Sequence, residues 1–180
     1  MRQRGCMSKW VWADLEMTGL TSGDRILEAA VVITNDQLEL MPDYVHRIIH
    51  VPDQVLDNMN QWCVDQHGKS GLTEQVRQSQ YSIEQVQEEI MLLLKKYTQK
   101  GEAPLCGNSI GTDKIFIERE MPQFYDWLNY RVIDVSSIKI LYNTWSGEQG
   151  YHKGDSSHRA LDDIKDSIEE LKFYRQWMKC

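Results

Sequence analysis

Three strand-like segments joined by very short connections fill the start of the chain, and this succession limits the fold more than any other feature. Residues 10–15 form an apolar, aromatic run, and residues 25–34 and 39–49 read as two further strands. The turn from Thr18-Gly19-Leu20 through Gly23-Asp24 separates the first two, and Asn35-Asp36 separates the second from the third. Strands connected by so few residues pair antiparallel, so the chain opens with a meander. A helical region follows, with short helices predicted over 55–60, 61–67 and 73–79. Ser82 then starts a long helix, with Gln85 placed as its capping-box partner. Ile83, Val86, Ile90, Leu93, Leu94 and Tyr97 make the apolar stripe of that helix. Residues 105–107 read as a short buried strand and 131–134 as another short strand, feeding helices over 112–121 and 135–145. A polar loop over 144–157 leads to a last helix over 159–177. The pattern describes an α/β fold: a mixed five-stranded sheet, three antiparallel strands then two parallel ones, flanked by helices.

The 180 residues suit one domain, read as residues 10–180 behind a flexible arm of residues 1–9. The arm is polar, with no apolar core of a secretion signal, although Arg2 and Arg4 give it a faintly basic character. No apolar run approaches the roughly 18 residues of a spanning helix, so no membrane partner is expected. The four cysteines, Cys6, Cys63, Cys106 and Cys180, share no metal-ligand spacing and read as reduced thiols of an intracellular protein. A net charge of −7 argues against a tight grip on long duplexes, whose affinity comes largely from neutralised phosphates. It is compatible with a short oligonucleotide held by a few contacts and metal ions.

Asp14 and Glu16 end the first strand, and alternation puts both carboxylates on one face with Leu15 on the other. An isolated Asp-x-Glu is ordinarily a solvated surface pair. Here the flank Trp10-Val11-Trp12-Ala13 is apolar, and two acids in a buried strand repel unless a cation or a proton lies between them. Donors that are all oxygen favour Mg²⁺ or Mn²⁺ over Zn²⁺. Asp113 stands in the first turn of a helix, after Gly107-Asn108-Ser109-Ile110-Gly111-Thr112, where an acid also complements the helix dipole. His158 and Asp163 lie at the start of the last helix. By helical angle Asp163 flanks the buried stripe of Leu161, Ile164, Ser167, Ile168 and Leu171, whereas Asp162 points nearly opposite, into solvent. Ser156 or Ser157 can cap this helix.

Each of these signals is weak alone, and a lone histidine is cheap in a chain that also has His46, His50, His67 and His152. Their order is specific. Four carboxylates can hold two divalent ions about 3.5–4 Å apart, an arrangement that serves in-line phosphoryl displacement. A neutral imidazole with a pKa near 7 can accept the proton of an attacking water.

This order resembles the histidine-containing branch of the DEDD-type exonucleases, and whole segments resemble its oligoribonuclease family. Trp12-Ala13-Asp14-Leu15-Glu16-Met17-Thr18-Gly19-Leu20 is similar to that family's first motif, and Cys106-Gly107-Asn108-Ser109-Ile110-Gly111-Thr112-Asp113 to its second. Tyr130-Arg131-Val132-Ile133-Asp134-Val135-Ser136 and Ser157-His158-Arg159-Ala160-Leu161-Asp162-Asp163-Ile164 are similar to the later ones. The resemblance implies an RNase H-like fold and a 3′→5′ exoribonuclease that converts short oligoribonucleotides, especially 5′-phosphorylated dinucleotides, to 5′-mononucleotides. It implies two divalent ions, Mg²⁺ or Mn²⁺, held by Asp14, Glu16, Asp113 and Asp163, with His158 as general base. Leu20 and Trp62 would contact bases near the 3′ end, with His67 nearby. Ser109, Arg131, Ser136 and Ser137 would cap the 5′ phosphate. The family also implies a homodimer in which Tyr130 acts in trans, working in the cytoplasm, the mitochondrion or both.

The residues themselves leave alternatives. Trp62 can stack on a base or close the core, and Arg131 can grip a phosphate or pair with an acid. The chain departs from the family pattern at Ala29, at Ile140 where an acid is usual, and at Tyr142-Asn143-Thr144-Trp145, which lacks arginines. The competing functions are an exonuclease of the same superfamily for longer RNA or DNA, and a catalytically silent RNA-binding protein on the same fold.

Overall fold

The structure, a computed structural model, describes residues 8–152 and 159–178. Its five-stranded sheet runs β3-β2-β1-β4-β5, built from β1 (Lys9–Met17), β2 (Ile26–Asn35), β3 (Leu40–Ile48), β4 (Leu105–Gly107) and β5 (Val132–Asp134). The first three pair antiparallel, and β4 and β5 add in parallel beside β1, as the strand succession predicts. β1 begins at Lys9, inside the segment read as an arm; residues 1–7 lie outside the described residues.

Every residue of β2 is buried, which requires cover on both faces of the sheet. One cover contains α4 (Ile83–Tyr97), α5 (Gly111–Glu120) and α6 (Pro122–Trp127). Val11, Ala13 and Leu15 point into it, against Val86, Ile90 and Leu94 of α4 and Phe116 and Phe124 of α5 and α6. The other cover contains α7 (Val135–Ser146) and α8 (Ala160–Trp177). Trp12 points there, against Tyr142, Ala160, Ile164 and Ile168. Its indole N–H, which would be costly to bury unpaired, donates to Thr34 Oγ1 at 3.0 Å. Because side chains alternate along a strand, Asp14 and Glu16 continue the Trp12 side, toward α8.

The capping box at Ser82 and Gln85 forms as its spacing predicts. α6 was not anticipated, although Pro122 at its first position is a recognised helix-start signal. Between β3 and α4 lie α1 (Asp53–Asp57), α2 (Gln61–Lys69) and α3 (Leu72–Gln78). They share a small apolar cluster of Leu27, Val51, Leu56, Met59, Cys63, Leu72 and Val76, which fastens α2 to the sheet. Cys63 and Cys106 are free, buried thiols. The predicted caps Ser156 and Ser157 lie outside the described residues, and Arg159, in an extended conformation, precedes α8 without capping it through its side chain. Among the described residues no helix is long and apolar enough to cross a membrane.

Candidate active site

Asp14 and Glu16 on β1 meet Asp163 on α8, with one carboxylate oxygen from each lying within 4.8 Å of the others. Asp163 faces the sheet as its helical phase predicts, whereas Asp162 is exposed and pairs with Lys165 at 3.1 Å. Asp113 approaches from α5 and is 7% exposed. Its Oδ1 accepts the Leu15 backbone N–H at 3.0 Å, so it is fastened to the strand between the two acids of β1.

The electrostatics register the crowding. Burial first, then the neighbouring charges of Glu28, Asp163 and Asp113, push the Glu16 carboxyl up to about 8, against a smaller opposing effect of Arg159. Burial likewise raises Asp113 to about 7, with its backbone hydrogen bonds opposing. These acids hold protons that acids in water would have lost. A divalent cation among them would replace those protons, and an all-oxygen donor set suits Mg²⁺ or Mn²⁺. The residues present therefore fit such a metal.

Glu16 also borders a pocket whose wall includes Leu20, Trp62, Cys63 and His67. Leu20 is 74% and Trp62 64% exposed, so the indole does not close the core. Trp62 occupies the first turn of α2, which Asn60 caps by accepting the Cys63 N–H at 3.0 Å. The turn carrying Leu20 is braced by the Asp24 carboxylate, which accepts from Thr18 Oγ1 at 2.8 Å and Thr21 N at 2.7 Å. A Cβ at position 19 would lie 2.6 Å from that carboxylate, which explains the glycine. The Arg119 guanidinium donates to the carbonyls of Thr21, Ser22 and Asp24 in the same turn. His67 is buried; its Nε2 must carry the proton, since it meets the Met17 carbonyl at 2.8 Å. Its Nδ1 lies 4.0 Å from Glu16 Oε2.

Ser109 and Ser136 come together where β4 and β5 end. Ser109 takes a left-handed φ of 51°, which turns its N–H onto Asp134 Oδ1 at 3.1 Å and Ser136 Oγ at 3.0 Å. Ser136 Oγ in turn donates to Asn108 Oδ1 at 3.0 Å. Ser137 is exposed on the next position of α7. Tyr130 is 73% exposed, and the Arg131 guanidinium lies over its ring at 4.4 Å from the centroid. His158 lies outside the described residues.

Sequence reasoning missed Glu28. It is 0% exposed, stands opposite Glu16 in the β1–β2 register, and contacts His46 and Arg159. The signal was available, because Ile26-Leu27-Glu28-Ala29-Ala30 is an acid inside an apolar strand, the same anomaly that singles out Asp14 and Glu16.

Comparison with known proteins adds three findings. The family described as Exonuclease matches residues 11–171. The chain is 49% identical over 168 residues to a probable oligoribonuclease of Dictyostelium discoideum, covering 93% of this chain and 88% of that protein. It is 47% identical over 169 residues to an oligoribonuclease of Pseudoalteromonas atlantica, covering 92% and 93%. It is 45% identical over 170 residues to the mitochondrial oligoribonuclease of Homo sapiens, covering 93% and 72%. Among solved structures, product-bound exonuclease I superposes with a TM-score of 0.72 at 14% identity, covering 95% of this chain and 44% of that one. The metal-free complex of E. coli exonuclease I with single-stranded DNA gives 0.71 at 13% identity, covering 94% and 40%. This chain thus spans less than half the length of those structures, and the likeness concerns the fold, an RNase H-like exonuclease sheet with its helices.

Proposed function

We propose, because this chain belongs to the exonuclease family and to the oligoribonucleases within it, that it is a metal-dependent hydrolase removing mononucleotides from the 3′ end of short oligoribonucleotides. The observation that carries the reading is the gathering of Asp14, Glu16 and Asp163 oxygens beside a pocket rimmed by exposed Leu20 and Trp62. In the reaction, a water oxygen attacks the last phosphodiester phosphorus and the bond to the 3′ oxygen of the preceding nucleotide breaks. A 5′-mononucleotide leaves, and the shortened RNA keeps a 3′ hydroxyl.

Asp14, Glu16, Asp113 and Asp163 would hold two divalent ions, Mg²⁺ or Mn²⁺. When bound, such ions lower the pKa of an attacking water and neutralise charge that develops on the scissile phosphate. Leu20 and Trp62 hold the terminal bases, the indole by stacking. His158 takes the proton of the attacking water. Ser109, Arg131, Ser136 and Ser137 receive the 5′ phosphate, which makes two nucleotides the length that satisfies both ends. The reading includes a homodimer in which Tyr130 reaches the partner's site. The exposed apolar side chains Tyr130, Val132, Ile140 and Trp145, on β5, α7 and the segment just before β5, support such a second copy. It also includes action in the cytoplasm or the mitochondrion, the second of which the names of the mammalian relatives support.

The test is product analysis with 5′-phosphorylated RNA dinucleotides, longer RNAs and single-stranded DNA, each with Mg²⁺, with Mn²⁺ and with chelator. Metal-dependent release of mononucleotides, fastest from the dinucleotide, is expected. Cleavage of long RNA or DNA at equal or greater efficiency would overturn the assignment to short substrates.

A further inference from the structure

We propose that Glu28 and Arg159 are positioning residues that hold the Asp163 carboxylate in place against Asp14 and Glu16; this rests on the metal-binding role proposed above for those acids. The four acids come from three elements, β1, α5 and α8, and a metal site tolerates only about 0.5 Å of error in its ligands. The packing of α8 on the sheet, through Ala160, Ile164 and Ile168 against Trp12, Ala30 and Val32, fixes the separation of the layers. Apolar contact is non-directional, so it resists sliding or rotation of the helix poorly.

Directional bonds supply the missing constraint. Arg159 stands immediately before α8, and its backbone carbonyl accepts the N–H of Asp163 at 3.1 Å. Its Nε donates to both oxygens of Glu28, at 3.1 Å each. Glu28 in turn sits opposite Glu16 in the sheet register, and His46 Nε2 of β3 meets its Oε1 at 2.5 Å. A continuous path of hydrogen bonds and strand pairing thus links Glu16 to Asp163 through Glu28 and Arg159. Stability alone does not account for the pair, because a buried ion pair often contributes no more than apolar side chains of the same volume. Geometry does account for it.

The test is Mn²⁺ binding to the full chain, by calorimetry or electron paramagnetic resonance, together with kcat and KM for a 5′-phosphorylated dinucleotide. Arg159→Gln removes a cation from beside the acid cluster, so electrostatics alone would leave Mn²⁺ affinity unchanged or raise it. Loss of positioning predicts the opposite sign: affinity and kcat each roughly 10- to 100-fold lower, with KM within about twofold of the parent. Parent-like or tighter Mn²⁺ binding overturns the proposal. If Arg159→Gln does not fold, Arg159→Lys decides, since it keeps the charge but loses the planar donor. It should also bind Mn²⁺ roughly tenfold more weakly, and parent-like affinity in it overturns the proposal. Asp14→Asn separates the two levels of inference. Should Mn²⁺ bind the parent and Asp14→Asn alike, or bind neither, the metal-site reading fails and this proposal falls with it. Binding that Asp14→Asn abolishes but Arg159→Gln leaves intact sinks the proposal alone.

Discussion

Without metal, the protein should lose stability as pH rises from 5 to 8, opposite to the usual behaviour of a protein whose carboxylates are favourably paired. The cause is burial, reinforced at Glu16 by the neighbouring acids: the Glu16 carboxyl is pushed from 4.5 up to about 8, and Asp113 from 3.8 to about 7. An acid with a raised pKa binds more protons folded than unfolded. Its contribution is fully present below the unfolded pKa and is lost as pH climbs through the folded one. At about 1.36 kcal/mol per pH unit, Glu16 taken alone loses roughly 3.5 kcal/mol across this window. For a chain of this length that lowers Tm by on the order of 10 °C. The assay is thermal unfolding between pH 5 and 9 in chelator and in saturating Mn²⁺, for the parent and for Glu16→Gln. The parent in chelator should show the falling Tm, and Mn²⁺ should remove most of it by replacing the protons. Glu16→Gln should lose the larger part of the slope. A parent Tm in chelator that is flat or rises through this range, or a Glu16→Gln variant with an undiminished slope, would refute this account of buried, crowded carboxyls.

Asp14→Asn should abolish turnover while Tm in chelator stays level or rises, because one of the mutually repelling acids is gone; a marked drop in Tm would make Asp14 structural. Trp62→Ala should raise KM for short RNA by roughly 5- to 150-fold, the range of one lost base stack of about 1–3 kcal/mol. The exposure of its indole predicts little change in Tm, and an unchanged KM would remove Trp62 from the substrate site. His158→Ala should lower kcat by roughly 10²-fold or more with Mn²⁺ affinity kept, and a parent-like rate at neutral pH would exclude it as the base. Arg131→Ala should cost 5′-phosphorylated dinucleotides about 1.5–3 kcal/mol, roughly 10- to 150-fold in kcat/KM, and longer RNA far less. An equal loss at every length would refute the 5′ cap.

Local periodicity determines which side of its own element a residue occupies, and at that level the sequence was sufficient. Alternation along β1 places Asp14 and Glu16 with Trp12, and Trp12 packs under α8. The helical phase of α8 separates Asp163 from solvent-facing Asp162. The capping box at Ser82 is likewise written in residues three apart, whose backbone geometry no distant contact needs to supply. What one element presents to another depends on packing, and that was decided only in three dimensions. Asp113 at a helix start reads equally well as a dipole partner; its hydrogen bond to Leu15 spans 98 residues of sequence and exists only because α5 docks at the end of β1. Trp62, equally plausible as core or surface, is exposed because Cys63 and Met59 fill the cluster beneath α2 in its place. Glu28 and Arg159 lie 131 residues apart, and no local pattern marks them as partners. Their charges meet because burying the two apolar faces of the sheet leaves α8 beginning directly over β2.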